Sequence, residues 1–261
     1  MRILVVEDER RMAELLRHGL RSAFEAEGEI RDGGQLQQEL SEFASEISDG
    51  GQTGKDRQSV FPVDKKTLGV KGSNAYFILT PGYQLSYKSG NDTGTVTVLN
   101  ETKLIDGVET RAVEDREMNN GQLIELTRDY YAIDSATNDV YYFGEDVDVY
   151  KSGKVTGHEG SWLSGVNGAK FGLMMPGRPQ TGQRFYQEQA PGVGMDRAEI
   201  VATGETLKTP AGPFPCVHVV ETSPIEKALK DHKWYTAGIG LVKDEAMILV
   251  KHGMKFACPV K

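Results

Sequence analysis

Short runs of strand-forming residues, separated by turn sequences at intervals of about eight to twelve residues, fill the chain from residue 76 onward. Residues 95–99 alternate at period two between apolar and polar types. The pairs Asp106-Gly107 and Asn120-Gly121 are typical of two-residue hairpin turns, in which both central residues need a positive φ. The 30 glycines and 10 prolines agree with many turns. This pattern predicts a mainly β protein built as an antiparallel meander.

The first 73 residues follow a different pattern. Residues 2–6 form a short apolar run typical of a buried strand, and apolar residues then recur at helical spacing from Met12 to Leu20. A second set at helical spacing consists of Leu36, Leu40, Phe43 and Ile47. The polar composition of residues 51–73 is typical of a linker. We therefore expect a strand and α-helical leader at 1–50, a linker at 51–73 and an antiparallel β domain at 74–261.

Residues 1–21, MRILVVEDERRMAELLRHGLR, resemble the first strand and helix of a bacterial response-regulator receiver domain. The resemblance implies that the acidic pair Glu7 and Asp8 helps to bind Mg²⁺ beside a phosphorylated aspartate, since a hard cation prefers carboxylate oxygens. The rest of that family's pattern is missing, because Asp49 follows a polar stretch rather than a buried strand. We interpret Asp49 as a turn residue and residues 1–21 as a receiver fragment.

Residues 76–253 resemble an uncharacterised family of bacterial β-rich proteins that are exported or lipid-anchored. The pieces that carry the resemblance are YFILTPG at 76–82, DGVE at 106–109, DYYA at 129–132, YFGED at 142–146, EGSW at 159–162, MP at 175–176, PG at 191–192 and YTAGIGLV at 235–242. The resemblance implies a curved antiparallel sheet or incomplete β-barrel, and it brings no established activity. It also implies a place in the cell envelope or outside the cell.

The formal net charge of -8 argues against a nucleic-acid-binding protein, because phosphate contacts need a basic face. No apolar run of about 18 residues occurs, so we expect no transmembrane helix. The start of the chain lacks the long apolar stretch of a signal peptide, since charge returns at Glu7. As written, the sequence therefore predicts a cytoplasmic protein, in contrast to the exported family that it resembles.

The cysteines and histidines give no recognisable metal or redox motif. Cys216 and Cys258 have no CxxC spacing, and we interpret them as two thiols, with a single bridge as the alternative. The five histidines show neither HxH nor HExxH spacing. Among the histidines we single out His158, which stands next to Glu159 in the sequence.

Residues 141–150, YYFGEDVDVY, combine aromatic rings, a glycine and three carboxylates in the middle of the β region. The candidate ligand or metal residues are Glu145, Asp146, Asp148, His158 and Glu159. Neighbouring acids can divide acid and base roles or share a Ca²⁺ or Mg²⁺ ion. The alternative interpretation is a strand end whose acids are solvated. No set of residues is typical of a nucleophilic catalytic site, a P-loop or a dinucleotide-binding loop, so we identify no catalytic residue and no cofactor.

Three functions are compatible with these observations. The first is a non-catalytic β domain that binds a small apolar or mixed ligand, or a protein partner, within its curved sheet, because the strands carry many aromatic residues. The second is a signalling protein with a degenerate receiver segment. The third is a hydrolase that uses Glu145, Asp146 or Glu159.

Overall fold

The structure, a computed structural model, describes residues 57–226 and 229–255. These residues form sixteen strands and no helix, which confirms the prediction of a mainly β protein. The predicted leader, with Glu7, Asp8 and Asp49, lies outside the described residues. The strands are β1 Leu68–Gly69, β2 Tyr83–Ser89, β3 Asp92–Ile105, β4 Val108–Asn119, β5 Gln122–Asp134, β6 Val140–Lys151, β7 Lys154–Gly157, β8 Trp162–Leu163, β9 Lys170–Met175, β10 Arg184–Tyr186, β11 Glu188–Gln189, β12 Arg197–Thr209, β13 Gly212–Thr222, β14 Lys230–Thr236, β15 Gly240–Asp244 and β16 Met247–Met254.

The strands form one antiparallel sheet that curves into a nearly closed barrel. Its order is β10-β12-β13-β14-β15-β16-β2-β3-β4-β5-β6-β9-β11. Outside this order, β1 pairs with β5, and both β7 and β8 pair with β6. The two ends of this path, β10 and β11, are separated in the chain by Gln187 alone. The segment 184–189 therefore pairs with β12 through its first half and with β9 through its second half. Bridging both edges leaves little open edge for another strand to add to.

The hairpin turns follow the sequence signals. Asp106 and Gly107 have φ of 50° and 79° between β3 and β4, and Asn120 and Gly121 have φ of 48° and 77° between β4 and β5. Positive φ at both central residues matches the right-handed twist of the flanking strands. The predicted meander is thus confirmed for this part of the sheet.

Residues 57–73 are part of the folded barrel and not the linker that their composition predicts. Gln58 makes a parallel bridge to Phe185, and β1 pairs with β5. The Phe61 ring lies 5.7 Å from that of Tyr141 in an edge-on contact. Isolated apolar residues such as Phe61 are enough to fix a polar segment on the barrel wall, and an averaged composition hides them.

No apolar helix of membrane-spanning length occurs in the part of the chain that the structure describes.

Candidate functional site

A β-bulge in β6 determines which side chains of residues 141–150 face the inside of the barrel. Tyr131 pairs with Tyr142 and Asp129 pairs with Glu145, so one residue of β5 stands opposite Phe143 and Gly144. Gly144 has a φ of 123°. Without the extra residue, alternation from Tyr142 would turn Glu145 outward. With it, Tyr142 and Glu145 both line the interior.

The interior contains a cavity of about 260 Å³. Its lining contains aromatic rings from several strands and from the segment before β2, and carboxylates from five strands. The aromatic residues are Tyr76, Phe77, Tyr83, Tyr87, Tyr131, Tyr142 and Tyr235, and the carboxylates are Asp115, Asp129, Glu145, Glu188 and Asp244. Lys233 is the single basic residue in this described lining. The cavity is therefore aromatic and acidic together.

The aromatic part of the cavity is held by ring contacts and one short hydrogen bond. Tyr131 and Tyr142 stack with ring centroids 4.8 Å apart, and Phe77 meets Tyr131 edge-on at 4.7 Å. The Tyr142 hydroxyl donates to Asp129 Oδ1 at 2.6 Å. These contacts place the Tyr142 hydroxyl against the Asp129 carboxylate, so aromatic rings and a carboxylate lie side by side in the lining.

Burial gives the carboxyl groups unusual protonation. It raises the pKa of Asp129 to about 6, although the hydrogen bond from Tyr142 acts in the opposite direction. Burial also raises the pKa of Glu145 and Glu188 well above the ordinary range. The negative charge of Asp129 raises the pKa of Glu145 further, and that of Asp196 raises the pKa of Glu188 further. These groups keep protons at pH values where an exposed carboxyl is ionised.

Lys233 is already neutralised by protein carboxylates. Its Nζ atom lies 2.6 Å from Glu221 Oε2 and 3.6 Å from Asp244 Oδ2. Burial lowers the pKa of Lys233, but Asp244 and Glu221 outweigh it and hold the pKa above its usual value. Gln187, the residue between β10 and β11, donates to Glu221 Oε1 at 2.9 Å. The network ties the closing segment of the barrel to β13, β14 and β15.

Of the five candidate residues from the sequence, Glu145 alone faces this cavity. Asp146 accepts hydrogen bonds from Lys103 and Tyr130 at 2.7 and 2.6 Å, and its side chain is 51% exposed. Asp148 Oδ1 lies 2.9 Å from Nδ1 of the exposed His158. Glu159 lies beside Gly157. The structure therefore brings Asp148 and His158 together, and it leaves Asp146 out of the cavity lining to which Glu145 belongs.

The sequence interpretation missed most of the cavity residues. Asp115, Asp129, Glu188, Lys233 and Asp244 stand in alternating strand patterns like those of solvated faces. No group of three or more histidine, cysteine or acidic residues in the described part of the chain is placed to hold a metal ion. Cys216 is a buried thiol, and Cys258 lies outside the described residues.

The pH dependence of stability tests the protonation of the cavity. The folded pKa of Asp129 and of Asp244 is about 6, above the ordinary 3.8, so the folded state binds protons more tightly between these values. Stability from these groups is therefore greatest at low pH and is lost as the pH rises through about 6. We expect Asp129→Asn to raise the melting temperature more at pH 7.5 than at pH 5, measured by circular dichroism at constant ionic strength.

Asp148→Asn is the matched control, because that carboxylate lies on the outer face beside His158. An Asp129→Asn variant whose stability differs from that of the wild type by the same amount at both pH values would contradict the raised pKa.

Comparison of the chain with family models, with curated proteins and with solved structures finds no match to any of them.

Proposed function

We propose that this protein binds a small organic cation with an apolar body inside its barrel, without chemical conversion of the ligand. The observation that carries the proposal is the cavity of about 260 Å³ that combines seven aromatic residues with five carboxylates and one lysine. Ligand sites are typically concave and mostly apolar, with a few polar groups that fix orientation. The size of this cavity suits a ligand with a single ring or a short chain.

The charge balance favours a cation over an anion or a neutral ligand. Lys233 is paired with Glu221 and Asp244, so it is not available to an anionic ligand. Asp129 and Glu145 lie on paired positions of neighbouring strands, beside the Tyr131 and Tyr142 rings. A cation there would gain both charge-assisted hydrogen bonds and contact with the aromatic rings.

Ligand binding would be coupled to loss of a proton. Burial raises the pKa of Glu145 and so favours its protonated form, whereas a cation stabilises the ionised form of a neighbouring carboxyl. The ligand therefore replaces a proton within the cavity. Its affinity is expected to fall as the pH is lowered through the pKa of Asp129, about 6.

A hydrolase that pairs Glu145 with Asp146 has less support. Adjacent residues of a strand face opposite sides of a sheet, and Asp146 is engaged by Lys103 and Tyr130 on the outer side. The signalling alternative depends on residues 1–21, which lie outside the described residues.

Benzylamine and benzyl alcohol form a matched pair of probes, because they have the same size and differ in charge. We expect calorimetry at pH 7.5 to show saturable binding of benzylamine and much weaker binding of benzyl alcohol. Benzylamine should also bind more weakly at pH 5 than at pH 7.5. Glu145→Gln should reduce the affinity for benzylamine about tenfold or more, since a hydrogen bond to a charged group contributes about 1.5–3 kcal/mol.

Asp148→Asn is again the control and should leave the benzylamine affinity unchanged, because Asp148 lies outside the cavity. Equal affinity for the amine and the alcohol would overturn the cation preference. Failure of both probes to bind, or an unchanged benzylamine affinity in Glu145→Gln, would remove the cavity as the binding site.

A further inference from the structure

Two histidines on neighbouring strands face each other on the outer wall of the barrel. His218 of β13 and His232 of β14 have Nε2 and Nδ1 atoms 2.9 Å apart. Lys233 and Tyr235 of β14 line the interior, so alternation places His232 and Trp234 on the opposite face. The pair is therefore separate from the cavity.

The surroundings fix the orientation of both rings. The His218 ring stacks on Trp234 with centroids 4.4 Å apart and planes 15° apart, and the His232 ring lies 5.9 Å from Trp234. Lys243 Nζ covers the same indole ring at 4.3 Å. The His218 side chain is 14% exposed, so a small part of its surface meets solvent.

Glu205 decides which nitrogen of His218 carries the proton. Its Oε2 atom lies 3.2 Å from His218 Nδ1. An ionised carboxylate only accepts, so Nδ1 of His218 donates and Nε2 presents its lone pair. The hydrogen between the two rings then belongs to His232 Nδ1. One proton thus joins two imidazole nitrogens that come from different strands.

We propose that a divalent transition-metal ion can replace this proton and be chelated by His218 Nε2 and His232 Nδ1. Two ligands that share a metal at about 2.0–2.1 Å have nitrogens about 2.9–3.4 Å apart, so the observed 2.9 Å needs mainly rotation of the rings toward a common point. In this arrangement Glu205 holds the far nitrogen of a metal-bound histidine, as outer carboxylates do in many metal sites.

The ligand set indicates the class of metal. Imidazole nitrogens suit Zn²⁺, Cu²⁺ and Ni²⁺, whereas Mg²⁺ and Ca²⁺ prefer oxygen. Water completes the coordination, because the site has two protein ligands. Binding to the neutral pair moves the Nδ1 proton of His232 to its Nε2 atom, and binding to the protonated pair releases one proton to solvent.

Titration of the untagged full chain with Ni²⁺ tests this site. We expect calorimetry to give saturable binding with one ion per chain, and His218→Ala and His232→Ala to abolish it. Glu205→Gln should weaken the affinity about tenfold, as loss of an outer carboxylate does. His158→Ala and His252→Ala are the matched controls and should bind as the wild type does.

A measurement on the wild type covers the case in which a histidine variant fails to fold. Ni²⁺ is paramagnetic, so the ring signals of its ligands should broaden first in NMR spectra of histidine-labelled protein. Selective broadening of His218 and His232 is expected. Absence of saturable binding, or broadening of other histidines in their place, would overturn the proposal.

Discussion

Replacing Lys233 with methionine is expected to lower the free energy of unfolding by about 3–5 kcal/mol, because it leaves the buried carboxylate of Glu221 without its cation. The Glu221 side chain is 6% exposed and has Lys233 and Gln187 as partners. Asp244 also loses its nearest positive charge. Urea unfolding followed by circular dichroism measures the change.

Lys103→Met is the matched control for the loss of an ion pair. Lys103 Nζ lies 2.7 Å from Asp146 Oδ2, much like the Lys233 pair, but its side chain is 36% exposed. An exposed pair contributes about 0–1 kcal/mol, so this variant should be nearly as stable as the wild type. If Lys233→Met and Lys103→Met lose the same free energy of unfolding, burial of the Lys233 network does not determine its contribution to stability.

A triple variant separates the net value of the network from the cost of breaking it. Lys233→Met with Glu221→Gln and Asp244→Asn removes all three charges and keeps an oxygen that can accept from Gln187. Replacing every member of a buried charge network by a neutral residue often costs little stability. The triple variant should therefore recover most of the stability that Lys233→Met loses. The same variant removes the Lys233 and Asp244 charges from the cavity lining, so we expect its preference for benzylamine to depend on Asp129 and Glu145.

Local chemistry explains why much of the fold is predictable from the sequence. The Asp106-Gly107 and Asn120-Gly121 turns are confirmed because positive φ is a requirement of two neighbouring residues and of nothing further away. The role of residues 57–73 was not predictable in the same way. Phe61 contacts Tyr141, and a contact between such distant residues leaves no mark on composition.

The candidate site shows the limits of period-two reasoning. Alternation alone would turn Gly144 and Asp146 to the same side as Tyr142, and Glu145 to the opposite side. The bulge opposite β5 reverses this order, so Glu145 faces the cavity and Asp146 faces Lys103. A bulge is a property of two paired strands, and the register of β5 against β6 cannot be read from β6 alone.

Gly144→Ala is expected to destabilise the barrel by more than about 3 kcal/mol. A Cβ atom there would lie 2.2 Å from the carbonyl oxygen of Trp162 and 2.8 Å from Leu163 Cα, and both are backbone atoms. The φ of 123° adds strain of about 1–3 kcal/mol for any residue other than glycine. Relief requires β8 to move away from β6 or the bulge to be lost. In the second case Glu145 turns out of the cavity, so benzylamine affinity should fall with stability.

Gly212→Ala is the matched control, because it introduces the backbone strain without the steric collision. Gly212 has a φ of 134°, close to that of Gly144, but the nearest atom to an added Cβ is the Phe214 ring at 3.6 Å, an ordinary contact. This control should lose only the strain contribution, about 1–3 kcal/mol, and should bind benzylamine as the wild type does. Urea unfolding of the two variants gives the comparison. If Gly144→Ala and Gly212→Ala have equal free energies of unfolding, β8 moves away from β6 at little cost. The close approach of Gly144 to Trp162 then does not hold the bulge in place.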